Sequence, residues 1–305
     1  MRIGLSRAGV SGVRKAIRIR YGEQEKLIAA DIDCTVDLDH SQKGVHMSRF
    51  PEVFEEAIEE VVIEEALLVE QLAARIAAQI VDRQRALRAE VTIVAQYPLE
   101  RRTPVTGLPT QELVSLIGLA AASERATRRV VGVEATGINA CPCAQGLVRE
   151  RSRERLEAAG FENGEIERIL ELVPIATHNQ RGRGRLYVGS EERINAEELV
   201  RIVEGSMSAP VYGLLKRPDE LHIVEQAHAN PRFVEDSVRL ALRETLETYA
   251  LADGDFLFSR QVNFETIHDH DVIAERFGTA GELRSELEDG RALPRHTELR
   301  EWLSG

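Results

Sequence analysis

Cys141 and Cys143 stand one residue apart, with Pro142 between them, in the stretch Thr136-Gly137-Ile138-Asn139-Ala140-Cys141-Pro142-Cys143-Ala144-Gln145. Proline fixes its own φ and pushes the preceding residue towards extended geometry. The two sulfurs are therefore offered by a stiff turn. A Cys-x-Cys pair is too tight for a complete zinc knuckle, and the chain has no second pair. Two readings stay open. One thiolate serves as metal ligand or nucleophile with its neighbour assisting, or both are small buried residues, as cysteine often is.

Other groups of the same chemical kind are scattered downstream. His178 sits in a Gly- and Arg-rich segment, Ala176 to Arg185. Glu220 follows Pro218-Asp219 after the basic pair Lys216-Arg217, and Glu235-Asp236 opens a helical pattern. Either carboxylate would be at home in a first helical turn. Glu265 precedes His268-Asp269-His270. We read this segment as extended, with His268 and His270 on opposite faces and at most one of them at a given site. Taken singly, each of these has an ordinary structural explanation. Together they describe one kind of site. A borderline metal favours Cys, His and carboxylate donors, and a metal-bound water is a hydrolytic nucleophile near neutral pH. Spare His and Glu can move protons. Lys43, Arg49, Arg181, Arg183, Lys216 and Arg217 could hold phosphate. The residues alone imply metal-assisted hydrolysis of an anionic substrate.

The bulk composition narrows the class. A chain of 305 residues with a formal charge of −12 is an unpromising binder of nucleic acid or of an anionic membrane. Lysine occurs only at 15, 26, 43 and 216, so the basic groups are nearly all arginine. An odd count of three cysteines argues against a disulfide framework and for a reducing cytoplasm. The N-terminus lacks a signal-peptide pattern, and no apolar run approaches the length of a membrane span.

The elements that must position these residues follow from periodicity. Alternation over 13–20 and 28–38 predicts a β-hairpin with a turn at Tyr21-Gly22-Glu23. A polar loop to Phe50 precedes a helical region to about Leu87, long enough for two helices, with Val61, Ala66, Leu68, Leu72, Ile76 and Ile80 inward. Strands are predicted over 88–98, 111–122 and 126–136, helices over 144–159 and 163–172, a short strand over 185–189, and helices over 195–205 and 231–249. A strand over 255–264 and a tail from Thr279, a charged helix and a polar end, complete the chain. Strands and helices in blocks, without β-α-β alternation, indicate an α+β fold. The second half repeats the order of the first. We divide the chain into modules at 1–136 and 137–278, with a charged tail at 279–305.

The motifs bear a specific resemblance. Gly44-Val45-His46-Met47-Ser48-Arg49, Ala140-Cys141-Pro142-Cys143-Ala144-Gln145, Thr177-His178-Asn179-Gln180-Arg181-Gly182, Leu214-Leu215-Lys216-Arg217-Pro218-Asp219-Glu220 and Asn230-Pro231-Arg232-Phe233-Val234-Glu235-Asp236 resemble the type IB GTP cyclohydrolases (the MptA/FolE2-like family). The likeness runs in order over residues 28–285. Ser206-Met207-Ser208-Ala209-Pro210-Val211-Tyr212, the insertion between Cys143 and His178, and the ending from His268 to Arg284 resemble the archaeal methanopterin-pathway branch (MptA type) more than the bacterial folate branch. Two departures stand out. The bacterial branch has Glu-Glu-Ser-Ile-His where this chain has Phe264-Glu265-Thr266-Ile267-His268, and the archaeal branch usually has Glu where Gly213 stands.

The resemblance implies a tunnelling fold (T-fold) of tandem modules, each an antiparallel sheet backed by two helices. It implies a homo-oligomer, a tetramer, with sites at subunit interfaces. The implied reaction opens the imidazole ring of GTP at C8 and releases formate. The methanopterin branch yields 7,8-dihydroneopterin 2′,3′-cyclic phosphate and uses Fe(2+); the folate branch yields 7,8-dihydroneopterin triphosphate. Zn(2+) and Mn(2+) are the alternative metals. By the same resemblance, Cys141, Glu220 and His178 are the metal-binding set, and Glu235 anchors the guanine edge. Lys43, Arg49, Arg181, Lys216 and Arg217 hold the substrate's phosphates. Cys143, His178, Glu265 and His268 are candidates for acid–base work or a further ligand. A non-catalytic purine- or pterin-binding protein of the same fold is the competing reading; simple binding would not need a thiolate with two histidines.

Overall fold

The computed structural model describes residues 3–21, 24–42, 44–63, 68–290 and 293–305. Lys43, Ala66 and the Gly22-Glu23 part of the expected turn lie outside the described residues. The chain opens with a long hairpin, β1 (Leu5–Tyr21) and β2 (Gln24–Leu38), followed by helices α1 (Arg49–Ile63) and α2 (Val69–Gln84). Strands β3 (Arg88–Arg102), β4 (Pro109–Ser123) and β5 (Thr127–Ala140) come next. Helices α3 (Pro142–Ala158) and α4 (Asn163–Leu172) precede β6 (Asn179–Gly189). Then come α5 (Ala196–Ser206), the two-residue β7 (Ala209–Pro210), α6 (Arg217–Ala229) and α7 (Val234–Thr248). Strands β8 (Phe256–Asn263) and β9 (Val272–Thr279) and helices α8 (Ala280–Asp289) and α9 (Leu299–Trp302) finish the chain.

All strands join one antiparallel sheet in the order β1-β2-β3-β4-β5-β6-β8-β9, with β7 paired to β5. The element order β-β-α-α-β-β occurs twice. In the first module α1 and α2 back β1 to β4. In the second α5 and α7 back β5, β6, β8 and β9, with α3–α4 inserted between β5 and β6 and α6 between α5 and α7. This is the tunnelling-fold arrangement. The expected division at 136/137 falls within β5, past the end of its ladder to β4 at Glu134 and inside its ladder to β6.

Period-two patterning makes the sheet and period 3.6 makes its backing. On β2, Ile28, Ala30, Ile32, Cys34 and Val36 all turn inward. They meet Leu72, Ile76 and Ile80 of α2 in the main core, which also takes in Leu199, Val203, Val238 and Leu242 from α5 and α7. Burial pushes the Cys34 thiol up to about 12, so it behaves as a small apolar side chain.

Three differences from the sequence reading matter for the site. Strand β6 begins at Asn179, six residues earlier than periodicity suggested. Its inward positions are Gln180, Gly182 and Gly184, too small or too polar to register as an apolar face. A Cβ at Gly182 would overlap Gln261 Nε2, so the glycine is what lets that amide lie against the strand. Helix α6 and edge strand β9 carry little apolar alternation, and the sequence reading assigned neither. The tail is more than a polar end: Trp302 is buried with Val130 and Phe256 and donates its indole N–H to Gly254 O at 2.8 Å.

Candidate active site

The β5–β6 register brings the first two site residues together. Ala140 pairs with Asn179 at the end of the ladder, so the next residues outward are Cys141 and His178. Cys141 N donates to His178 O at 3.1 Å. Thr177 Oγ1 donates to Cys141 O at 2.8 Å. Gln145 Nε2 donates to Ile175 O and His228 O at 3.1 and 2.7 Å, fastening the turn to the loop before β6 and to the end of α6. Cys141 is the N-cap of α3, with extended φ −81 and ψ 118, and Pro142 opens the helix. Its Sγ accepts from Ala144 N at 3.5 Å, at the positive end of the helix. Cys143 lies in the same first turn, exposed.

The next side chains inward form a chain of contacts. His178 Nδ1 is 3.0 Å from Gln180 Oε1, and Gln180 Nε2 donates to Glu265 Oε1 at 3.0 Å. Glu265 Oε2 is 3.8 Å from His178 Nδ1. Beneath them is a buried amide network. Asn139 Nδ2 and Gln261 Nε2 donate to Asn263 Oδ1 at 2.9 and 3.0 Å, and Ser208 N donates to Asn139 Oδ1 at 3.2 Å. Buried amides hydrogen-bonded to one another in this way hold a single geometry.

A cavity of about 380 Å³ opens over this floor and is lined by Cys141, His178, Gln180, Arg232, Glu235, Asn263, Glu265 and His268, among others. Glu235 stands exposed in the first turn of α7. Arg232 donates Nη1 to Gly205 O and Ser206 O at 3.2 and 3.1 Å, and burial draws its pKa down. Arg232, Gln180, Asn263 and Asn139 were missed by sequence reasoning. Arg232 and Gln180 stood inside motifs already singled out, but as neighbours of more reactive residue types.

His268 and His270 do not point to opposite faces. Their rings stack at 5.2 Å with an interplanar angle of 18°. Residues i and i+2 of an extended segment lie on the same face, so the expectation had the alternation reversed; the chain here also bends over residues 266–270.

The remaining site residues lie elsewhere in the single chain. Arg181 is exposed on β6, at an outward position beside the inward Gln180. Arg49 is tied through its guanidinium to Arg83 O near the end of α2. Lys216, Arg217 and Glu220 are exposed at the N-terminus of α6. It is the C-terminal end of that helix, at His228, that meets the Cys141 turn. Eight residues of helix separate Glu220 from His228, roughly 12 Å of axial rise. Among the described residues no group of three or more His, Cys, Asp or Glu is poised to hold a metal. One chain contributes a thiol and two imidazoles, Cys141, His178 and His268, to the cavity wall, and Glu220 stands apart from them.

The α6 N-terminus is itself rigidly built. Asp219 is fully buried, and its Oδ1 accepts from Val105 N and Thr106 N, both at 2.9 Å. Its Oδ2 accepts from Thr106 Oγ1 at 2.6 Å and Lys216 N at 3.0 Å. Burial alone would raise its pKa, but these hydrogen bonds outweigh it and hold the carboxyl well below its usual range. Glu112 Oε1 accepts from Gly213 N at 2.8 Å, and Arg101 lies over the Tyr212 ring at 5.6 Å. The β3–β4 hairpin tip thus grips residues 212–219.

Comparison with known proteins agrees with this architecture. The family model described as type I GTP cyclohydrolase folE2 matches residues 1–274. The GTP cyclohydrolase MptA of Methanococcus vannielii is 40% identical over 299 residues, covering 94% of this chain and 96% of that protein. The GTP cyclohydrolase MptA of Methanothermobacter thermautotrophicus is 41% identical over 296 residues, covering 94% and 93%. Among solved structures, uricase from Arthrobacter globiformis aligns with a TM-score of 0.54 at 10% identity over 94% of this chain and 95% of its own. A uricase from Bacillus fastidious aligns at 0.52 and 8% identity, over 96% and 99%. At such identities the uricases speak for the fold alone.

Proposed function

Because the chain belongs to the type I GTP cyclohydrolase family, we propose that it opens the imidazole ring of GTP at C8 by hydrolysis and releases formate. The product is 7,8-dihydroneopterin 2′,3′-cyclic phosphate, for a methanopterin-type pathway. The near full-length likeness to MptA proteins supports this branch over the triphosphate-forming one. The observation that carries the reading is the cavity that unites Cys141, His178, Glu235, Glu265 and His268.

A Cys–His pair suits a borderline metal, and we assign Fe(2+), or Zn(2+) or Mn(2+), to Cys141 and His178, with Glu220 as the third donor. The metal would act as a Lewis acid that makes water a nucleophile near neutral pH. Glu235 accepts hydrogen bonds from the guanine N–H edge and orients the purine. Arg181, Lys216, Arg217, Arg49 and Lys43 neutralise the phosphates. Hydration at C8 needs a proton removed from water and one delivered to a ring nitrogen, and we assign both transfers to His178, Glu265 and His268. Cys143, exposed beside Cys141, assists.

Glu220, Lys216 and Arg217 lie outside the cavity of their own chain, which favours a homo-oligomer, a tetramer, in which a neighbouring copy completes each site. No helix among the described residues is long and apolar enough to cross a membrane, and three free cysteines suit a reducing cytoplasm. Anaerobically purified protein given GTP and Fe(2+) should release formate and a pterin whose mass is that of the cyclic phosphate. The triphosphate mass would move the protein to the folate branch. No formate with Fe(2+), Mn(2+) or Zn(2+) would overturn the activity.

A further inference from the structure

We propose that Gln180 is a positioning residue that fixes the tautomer of His178, placing the proton on Nδ1 and leaving the lone pair on Nε2. The argument begins with Glu265, whose side chain is only 7% exposed. Gln180, itself buried, donates its amide nitrogen to Glu265 Oε1 at 3.0 Å. With the nitrogen committed to Glu265, the amide oxygen faces His178 Nδ1 at 3.0 Å. A carbonyl oxygen only accepts, so Nδ1 carries the hydrogen. Glu265 Oε2, 3.8 Å from the same nitrogen, favours a proton there as well.

A neutral imidazole protonated on Nδ1 has its lone pair on Nε2. That nitrogen has no hydrogen-bond partner among the described residues. The relay Glu265–Gln180–His178 thus makes His178 a neutral donor through one defined atom, for a metal or for a proton. Partners that orient a histidine in this way are typically worth about 10- to 100-fold in affinity or activity. This use of the lone pair rests on the hydrolytic reading above; the tautomer itself does not.

The test is long-range 1H–15N correlation on the full chain labelled at histidine, metal-free and at pH 8.5, with the His178 signals assigned from a His178→Asn spectrum. Wild type should show a protonated Nδ1 and an unprotonated Nε2. Gln180→Met removes both contacts at similar size, and its His178 should move to the Nε2-protonated or a mixed form. A wild-type His178 protonated on Nε2, or a tautomer unmoved in Gln180→Met, would overturn the proposal, and the wild-type measurement stands even if a variant fails to fold. Turnover supplies a separate readout: Gln180→Met should lower kcat by about 10- to 100-fold with KM for GTP little changed. Should the chain lack cyclohydrolase activity altogether, the NMR result still decides the tautomer.

Discussion

The cavity at the ends of β5, β6 and β8 and the N-terminus of α6 carry the same kinds of reactive residue in opposite settings. In the cavity, His178, Gln180 and Glu265 touch one another, and their side chains are largely buried over a partnered amide floor. At α6, the motif residues Lys216, Arg217 and Glu220 are exposed and make no such chain. There the buried residue is Asp219, whose carboxylate is spent on the β3–β4 hairpin tip. One region is prepared around its reactive groups. The other is a rigid mount that projects its reactive groups outward. A site divided in this way fits completion by a second copy of the chain, with each half preorganised on its own frame.

The largest expected effect comes from removing the sulfur. Cys141→Ala should lower formate release on the order of 10³-fold or more. Its melting temperature should hold, because α3 buries no residue. Retained turnover would take Cys141 out of the chemistry. Next, Glu220→Gln should also be severely impaired while melting like wild type. Co-expressing it with Cys141→Ala should restore part of the activity, because some sites then combine an intact Cys141 from one copy with an intact Glu220 from another. Absence of recovery in mixed oligomers would break the idea that the two regions meet across an interface.

Asp219→Asn should behave differently from Glu220→Gln. It sets an amide N–H against donors from Val105, Thr106 or Lys216, so it should lower the melting temperature as well as turnover. Calorimetry of the two variants side by side separates mount from reactive group. The smallest effects are in pH dependence. The folded-state pKa of Asp219 is depressed, so its contribution to stability is full above about pH 4 and is lost as pH falls further. Glu70, buried on α2, has the opposite sign: burial raises its pKa, and its ionisation destabilises the fold as pH rises above about 4.5. Glu70→Gln should therefore raise the melting temperature at neutral pH and leave it nearly unchanged in acid.

The strands β2 to β5 and the α2 and α5 faces were legible because one residue in two, or three to four in seven, is apolar there. Strand β6 was half-hidden because glycine and glutamine occupy its inward positions. The site followed the same division. Reactive residue types announced Cys141, His178, Glu235, Glu265 and His268. Asn139, Gln180, Arg232 and Asn263 are common surface types, and only burial and partners give them a role. The stacking of His268 on His270 was misread because positions i and i+2, which share a face on an extended segment, were assigned to opposite faces.

Sequence by itself determined the α+β order, the family and the inventory of donors, since periodicity and local motif chemistry are properties of neighbouring residues. Only the tertiary structure decided which donors share a cavity. Antiparallel register sets Cys141 beside His178 and Gln180 beside Glu265, although 37 and 85 residues separate the members of those pairs. It also decided that Glu220, one residue from the buried Asp219, faces away from them: a helix of 1.5 Å rise per residue fixes that separation whatever the side chains would prefer.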